Sequence, residues 1–444
     1  MRSLITAAAC LLLLNAAANT YEVADISSAN KALQTAREKD SVVLKDGVYT
    51  DANIAFTNNG IIFTAQHAGK VFFEGNSTLQ FGGDKIRISG FVWRNGGKGL
   101  KQSSVIAFKN GDVNATHSVL EDCAIIGFND DDLNTDNKWV SLYGSYNTVT
   151  RCLLRDKYNL GATLVVWLPE QQPAYHTISF NYFFNRQNGP NADNGLESMR
   201  IGDSHTSFTN AHCTVAFNRF EQCDGEIEII SNKSCHNSYL HNTFYNSNGG
   251  LTLRHGNDCR VDGNVFDGQD KELSYGVRII GEGHLVSNNY FYRLAGASHQ
   301  VFRAPLTIVN GLVNTPLNGY FQVKRAAVVG NVFVDCHTPL VRIGSYSGRA
   351  GMTMAPDTVR IARNAFYTSG AVYEMMTAPK YLDSSYNSIL SSSVQADKSQ
   401  SHAVPVTENP GAGAGWTEES IRVKASATRY TYILAKEAGP LWMR

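Results

Sequence analysis

Along the middle of the chain, short runs of apolar, often β-branched residues alternate with polar ones: Thr-Val-Ala-Phe at 214–217, Leu-Val-Ser-Asn at 285–288, Ala-Val-Val-Gly at 327–330 and Val-Arg-Ile-Ala at 359–362. A side-chain period of two predicts strands, and no 3.6-residue pattern lies between the runs. The tripeptide Asn-x-Phe recurs with them, at Asn181, Asn218, Asn242, Asn264, Asn289, Asn331 and Asn364. Its middle intervals are 24, 22 and 25 residues, and the outer ones, 37, 42 and 33, fit one coil plus an inserted loop. A period in this range is the signature of a solenoid, and strands alone at that period predict an all-β, right-handed parallel β-helix. The repeated Asn suits a turn that tolerates left-handed backbone and bonds the same Asn one coil away. The repeated Phe suits an inward stack.

Residues Ser28 to Lys39 break the pattern. Apolar Ala29, Ala32, Leu33 and Ala36 predict a short amphipathic helix with a Ser cap, placed to cover the solenoid's N-terminal end. Coils are expected from about residue 41 to about 370. Polar runs at 129–138, 184–195 and 295–317 read as loops, 390–418 as a loose Ser/Ala/Gly-rich segment, and Tyr430 to Leu434 as a final strand. The start, Met1-Arg2 followed by an apolar run to Leu14 and three alanines, reads as a signal peptide over 1–18, leaving 19–444 as one domain, secreted or periplasmic. No segment is apolar enough to span a bilayer, so no membrane partner is expected.

With 39 basic and 39 acidic residues the chain is neutral, so no whole-molecule field draws in nucleic acid, and an anionic ligand has to be held by local charge. Seven cysteines remain after Cys10, an odd count that excludes full pairing. Cys213, Cys235 and Cys259, five or seven residues before the repeat Asn, read as a stacked core position, as do Cys123 and Cys152, mostly as free thiols with room for one disulfide. No Cys/His spacing suggests zinc.

The chemistry concentrates between Asp224 and Asn257. Glu226 and Glu228 alternate with Ile227 and Ile229, so both isoleucines are expected inward and both carboxylates outward. Paired carboxylates on one face repel unless a positive charge sits on them, either a bound cation or nearby Lys233 and Arg254. Laying 225–230 over 249–254 sets Ile227 on Leu251 and Ile229 on Leu253. The outer face then carries Glu226, Glu228, Thr252 and Arg254, with Arg278 from the next coil and Arg200 from the preceding one. At about 4.8 Å per strand these charges fall within roughly 10–15 Å. Lys233 lies just past the end of its strand and leans over that face. A solvated, mutually neutralising charge face is the other reading of the same residues.

The motifs resemble polysaccharide lyase family 6, the alginate lyases and chondroitinase B. The resemblance is carried by Asn194-Gly-Leu-Glu-Ser-Met-Arg-Ile-Gly202, Gly225-Glu-Ile-Glu-Ile-Ile-Ser-Asn-Lys-Ser234, Leu251-Thr-Leu-Arg-His-Gly-Asn257 and Val277-Arg-Ile-Ile-Gly281. Asp46-Gly-Val-Tyr49, Asp136-Asn-Lys-Trp-Val-Ser141 and Gly439-Pro-Leu-Trp442 add to it across nearly the whole mature chain. It implies calcium-assisted β-elimination of a uronate polymer, alginate first, with dermatan sulfate as the alternative. By motif, Lys233 is the implied general base and Arg254 the implied acid. Asn194, Glu226 and Glu228 are implied Ca2+ ligands, and Lys138, Arg200, His255, Arg278, Arg303 and Tyr320 implied sugar-binding residues. Preference among uronates, endo or exo action, and monomer or homodimer stay open.

That chemistry is coherent. The proton at C5 of a uronate resists removal because the carboxylate beside it is already negative, and a hard cation held by oxygen donors relieves that charge. A lysine acting as base first has to lose its own proton, which neighbouring positive charge favours. A guanidinium gives up a proton reluctantly, so Arg254 suits charge stabilisation at the leaving oxygen better than direct proton transfer. Glycoside hydrolysis is the poorer reading, because i,i+2 carboxylates lie on one side, about 6–7 Å apart, and cannot flank a glycosidic bond. A β-helical binding module would need no Lys/Arg/carboxylate cluster.

Overall fold

Each coil contributes one strand to each of three sheets. The computed structural model describes residues 18–100, 103–169, 171–189, 194–297, 299–337, 339–349, 351–390 and 431–444. They form a parallel β-helix whose sheets hold 14, 14 and 13 strands. The chain passes in turn through the first sheet (Ser41–Leu44), the second (Gly47–Thr50) and the third (Asn53–Thr57), then repeats. Coils extend further than the repeat implies, from Thr20–Val23 to Ser388–Leu390. Polar residues 295–317 are not one loop, since the strand Leu306–Val309 divides them. Likewise the run from 184 begins inside the strand Tyr182–Arg186, and Lys138 opens a strand.

The Asn-x-Phe repeat builds the corner between the first two sheets. Each Asn Nδ2 donates to the next Asn Oδ1 at 2.9–3.1 Å, from Asn181 through Asn364 to an eighth member, Asn387. The phenylalanines stack inside, Phe183 to Phe366, with ring centroids 4.5–5.0 Å apart. The left-handed residue is not the Asn but the one before it: Phe180, Phe217, His241, Gly263, Asn288, Gly330, Arg363 and Tyr386 have φ between +53° and +71°. That turn leaves the Asn itself extended, so its amide points straight along the stack.

The opposite corner, between the third and first sheets, is mixed. Asn147 Oδ1 accepts from Ser118 N at 2.9 Å, and Asn237 Oδ1 from Cys213 N at 2.9 Å. The imidazoles of His176 and His284 fill the same role, accepting from Asn147 N and Cys259 N at 3.1 and 3.2 Å. Cys213 and Cys259 therefore share one row with Asn237 between them, while Cys235, two residues earlier, is out of it. Cys123 and Cys152 do stack, since Ala124 pairs with Leu153. All seven cysteines are free and buried.

The N-terminal helix spans Ile26–Thr35 and buries Ala29, Ala32 and Leu33. Its cap is Asp25 rather than Ser28: Asp25 Oδ1 accepts from Ser28 N at 2.8 Å. Near the C-terminus, 431–434 is extended but pairs with no strand, and a short 3-10 turn, Ala435–Glu437, follows. Hydrogen bonds to the second sheet and its turns hold this tail instead. Ile433 N donates to Thr243 Oγ1 at 2.8 Å, Gly439 N to Phe180 O at 2.9 Å and Trp442 Nε1 to Asp122 O at 2.7 Å, so the tail runs back down the second sheet. The segment expected as a loose loop, 390–418, lies outside the described residues beyond 390, and the signal segment, 1–18, lies outside them but for residue 18. No described helix is long and apolar enough to cross a membrane.

Candidate active site

The site lies on the third sheet, where the strand Glu228–Lys233 runs between Met199–Ile201 and Gly250–His255. Its register with the later strand shifts twice, between Glu228 and Ile230 and between Asn232 and Lys233. The pairs are Ile230 with Leu251, Ser231 with Thr252, Asn232 with Leu253 and Lys233 with His255. The expected superposition of Ile227 on Leu251 and Ile229 on Leu253 is overturned, because bulges break the two-residue period. Ile229 and Ile230 both enter the core, and Ile227 is half-buried beside Glu226, lining a cavity of about 400 Å³. Lys233 is the last residue of its strand rather than one past it. Arg278 does stand beside Thr252, and Arg200 beside Ser231.

At the start of these strands, acid is buried. Glu226 is 6% exposed, Glu228 7% and Glu197 1%. Arg278, itself buried, forms a short ion pair with Glu228. Among the described residues Glu226 Oε2 accepts only a long bond from Leu196 N, 3.4 Å, and Glu197 Oε2 has no partner. Burial, then the charges of Glu197 and Glu228, hold the Glu226 carboxyl well above the usual carboxylate range. Asn194 stands exposed, two residues before Leu196. Among the described residues no three His, Cys, Asp or Glu side chains already converge on one point as a metal site. Buried polar atoms without partners do gather here: Arg200 Nε, Ser231 Oγ and Arg278 Nε and Nη1, besides Glu197 Oε2. Atoms of the same kind also occur elsewhere in the fold, at Trp93 Nε1, His176 Nε2 and His241 Nδ1 among others.

At the end of the same strands the charge is positive. Lys233 has neither ion pair nor hydrogen bond through Nζ among the described residues. Arg254 donates to Gly319 O at 2.7 Å and Asn318 O at 3.0 Å, and its guanidinium lies 4.2 Å from the centre of the Tyr320 ring. Burial lowers its pKa. His255 is buried, 3.4 Å from Ser204 Oγ through Nε2. Burial, then Arg254 and Lys233, push its imidazole down to about 3, so it is neutral in ordinary buffers.

The remaining expected residues spread outward. Lys138 pairs with Asp136 at 2.6 Å and lies 5.8 Å from the Trp167 ring centre; Arg200 lies 5.2 Å from the same ring. Arg303 lines the far side of the cavity that Glu226 opens into, donating to Asn248 Oδ1 at 3.1 Å and Leu273 O at 2.6 Å. The structure thus gathers Glu226, Glu228 and Arg278 at one end of the strands. Lys233, Arg254, His255 and Tyr320 meet at the other, with Arg200 and Lys138 one to three coils below and Arg303 apart. Sequence reasoning missed Glu197 and Trp167. Glu197 was visible as an acid between Leu196 and Met199, both apolar, whereas nothing local marked Trp167.

The family model described as Chondroitinase B matches residues 23–401. Among solved structures, the polysaccharide lyase family 6 alginate lyase AlyGC is similar at TM-score 0.82 and 29% identity over 95% of this chain, which spans 58% of that protein's length. A mannuronic acid specific family 6 lyase from human gut microbiota gives TM-score 0.81 and 27% identity, covering 96% of both chains. The family 6 lyase Pedsa3628 from Pseudopedobacter saltans gives 0.73 and 26%, covering 95% of this chain and 99% of its own. Among curated proteins none matches the chain.

Proposed function

The chain belongs to the chondroitinase B family, polysaccharide lyase family 6, and from that premise we propose that it is a secreted lyase cleaving alginate by β-elimination. The observation that carries the reading is the polarity of one strand set. Under-paired buried carboxylates sit at its start, and an unpaired lysine beside a neutral histidine and a clamped arginine sits at its end. A solvated charge face would neutralise itself; this one leaves Lys233 without an ion pair among the described residues.

Lys233 removes the C5 proton of the uronate. The C5–H electron pair becomes the C4–C5 double bond, the C4–O bond breaks, and the leaving oxygen takes a proton. Arg254, fixed by two carbonyls and Tyr320, stands to stabilise the charge on that oxygen, with water as a competent proton source. His255, neutral and buried, donates a hydrogen bond to the sugar without adding charge. Arg200, partly exposed and without an ion pair among the described residues, stands to bind a substrate carboxylate, while Arg278, buried against Glu228, orients the carboxylate of Glu228.

The hard oxygen donors of Asn194, Glu226 and Glu228 fit Ca2+, and the orphaned Oε2 of Glu197 adds a fourth candidate donor. When bound, the ion would supply neutralisation of the substrate carboxylate. Alginate is favoured over a sulfated polymer because the inserted loops are not conspicuously basic. The mannuronate-specific relative bears on its own substrate, and preference here is for experiment to assign.

Absorbance at the wavelength of a 4,5-unsaturated uronate tests this, in calcium-containing buffer with poly-mannuronate, poly-guluronate, mixed alginate and dermatan sulfate. A rise on an alginate that is lost in Lys233→Ala is the expected result. Cleavage without new absorbance, or binding without cleavage, overturns it.

A further inference from the structure

Two stacks of alternating cations and rings flank the catalytic strands. Toward the C-terminal coils, Arg278 lies 5.4 Å from the Phe302 ring centre, Phe302 stacks on Tyr346 at 5.5 Å, and Arg349 lies 5.2 Å from Tyr346. Toward the N-terminal coils, Arg200 lies over Trp167, Trp167 stacks on Tyr143 at 6.3 Å and 17°, and Lys109 lies 5.6 Å from Tyr143. The second stack leaves the site already described. Lys109 comes from a hairpin, Lys109–Asn110 against Val113–Thr116, the one antiparallel strand pair among the described residues of an otherwise parallel fold. This hairpin is an insertion in its coil, and it places a lysine where the sheet alone would not.

Several features point to a ligand rather than to packing. Lys109 and Arg200 have no carboxylate partner among the described residues, although the chain has as many acids as bases. Trp167 is held in place by its own Nε1, which donates to Ser141 Oγ at 3.2 Å. Lys109, Tyr143, Trp167 and Arg200 are each only partly buried. The stack thus presents two cations without a carboxylate partner among the described residues beside part-exposed rings. A uronate polymer has the matching character, with one carboxylate on every sugar.

Distance sets how far such a chain would reach. Ala107 pairs with Ser141, Val165 follows it, then Arg200 and Ser231, so the row beside Lys109 is four strand steps below the catalytic strand. At about 4.8 Å per step this is about 19 Å, several sugars.

We propose that Lys109, Tyr143 and Trp167 form an outer subsite for the uronate polymer, so that the chain lies along the helix axis and is gripped several sugars from the bond that breaks. This rests on the lyase reading above. Its test compares kcat/KM on alginate polymer with that on a short alginate oligomer, a trisaccharide. In Lys109→Glu the polymer-to-trisaccharide ratio falls by roughly three- to fivefold or more, the range of one partly exposed cation–ring contact plus a reversed charge. In the control Lys31→Glu, on the exposed side of the N-terminal helix, the ratio is unchanged. Trp167→Leu lowers the ratio in the same direction. An unchanged ratio in both Lys109→Glu and Trp167→Leu overturns the subsite, and so does an equal loss on both substrates, which would mark a structural role. If the unmodified protein forms no unsaturated product from any uronate polymer, the lyase reading itself falls and the subsite with it.

Discussion

The Asn-Phe corner and the strands of the candidate site belong to the same coils yet obey opposite rules. At the corner, each step sets a residue on its own kind, with Asn–Asn bonds of 2.9–3.1 Å and ring centroids 4.5–5.0 Å apart. Between Glu228–Lys233 and Gly250–His255 the register shifts twice, like charges are neighbours, and buried polar atoms lack partners. Repetition pairs each ladder Asn with the next one, which stabilises the solenoid and leaves that row of amides nothing for a ligand to complete. The proposed site sits where repetition is broken, and buried unsatisfied groups of that kind cost stability.

The sharpest break in that contrast is Lys233→Ala. Activity on alginate is expected to fall by roughly a hundred- to ten-thousandfold, the range of general-base catalysis, with the melting temperature unchanged. A loss of activity matched by a loss of folding would erase the distinction between the two regions. The corner should respond in reverse. Phe266→Ala, removing one fully buried ring from the stack, is expected to cost about 3–5 kcal/mol in a denaturant titration, while kcat of the protein still folded stays the same.

A third prediction concerns acid. Burial pushes the corner imidazoles of His176 and His284 down to about 4. The unfolded chain takes up those protons near 6.5 and the folded chain does not, so each contributes stability that is present above pH 6.5 and lost as pH falls toward 4. At pH 5 the loss is about 2 kcal/mol for each. His176→Asn, which installs the residue used at other steps of the same row, is expected to remove about 2 kcal/mol of the fall in unfolding free energy between pH 7 and pH 5, read by denaturant titration.

The smallest effect sharpens the idea that the site costs stability. Glu226 is buried against Glu197 and Glu228, and its raised pKa means that its ionised form disfavours folding at neutral pH. Glu226→Gln is expected to stabilise the chelator-treated protein by about 1 kcal/mol at pH 7 and to weaken the rise in melting temperature on adding Ca2+. A destabilised variant with an undiminished calcium response would remove Glu226 from the cation site.

Much of this was legible before any coordinates. The ladder was visible because it is a local pattern repeated: one Asn and one Phe per coil, wherever the loops fall. Asn387 escaped because no Phe follows it, and the left-handed turn was placed one residue late because its residue varies, from Phe180 to Gly330 to Arg363. That Lys233, Arg254 and Glu228 lie on neighbouring strands, with Glu226 just before them, was legible from the motifs. Their arrangement was not. A simple two-residue period set Ile227 inward, and the bulges that turn it outward have no sequence mark in these strands.

The sequence by itself determined the coil, its period, the stacked corner and the residue types of the site, because each rests on short-range periodicity and on chemistry carried by single side chains. The tertiary structure alone decided the register of Glu228–Lys233 and the pairing of Glu228 with Arg278 fifty residues on. It also decided the clamping of Arg254 by carbonyls of 318–319 and the alignment of Lys109 with Tyr143 and Trp167. These contacts join separate coils and inserted loops, so their geometry is set by how coils stack and not by any stretch of chain that makes them.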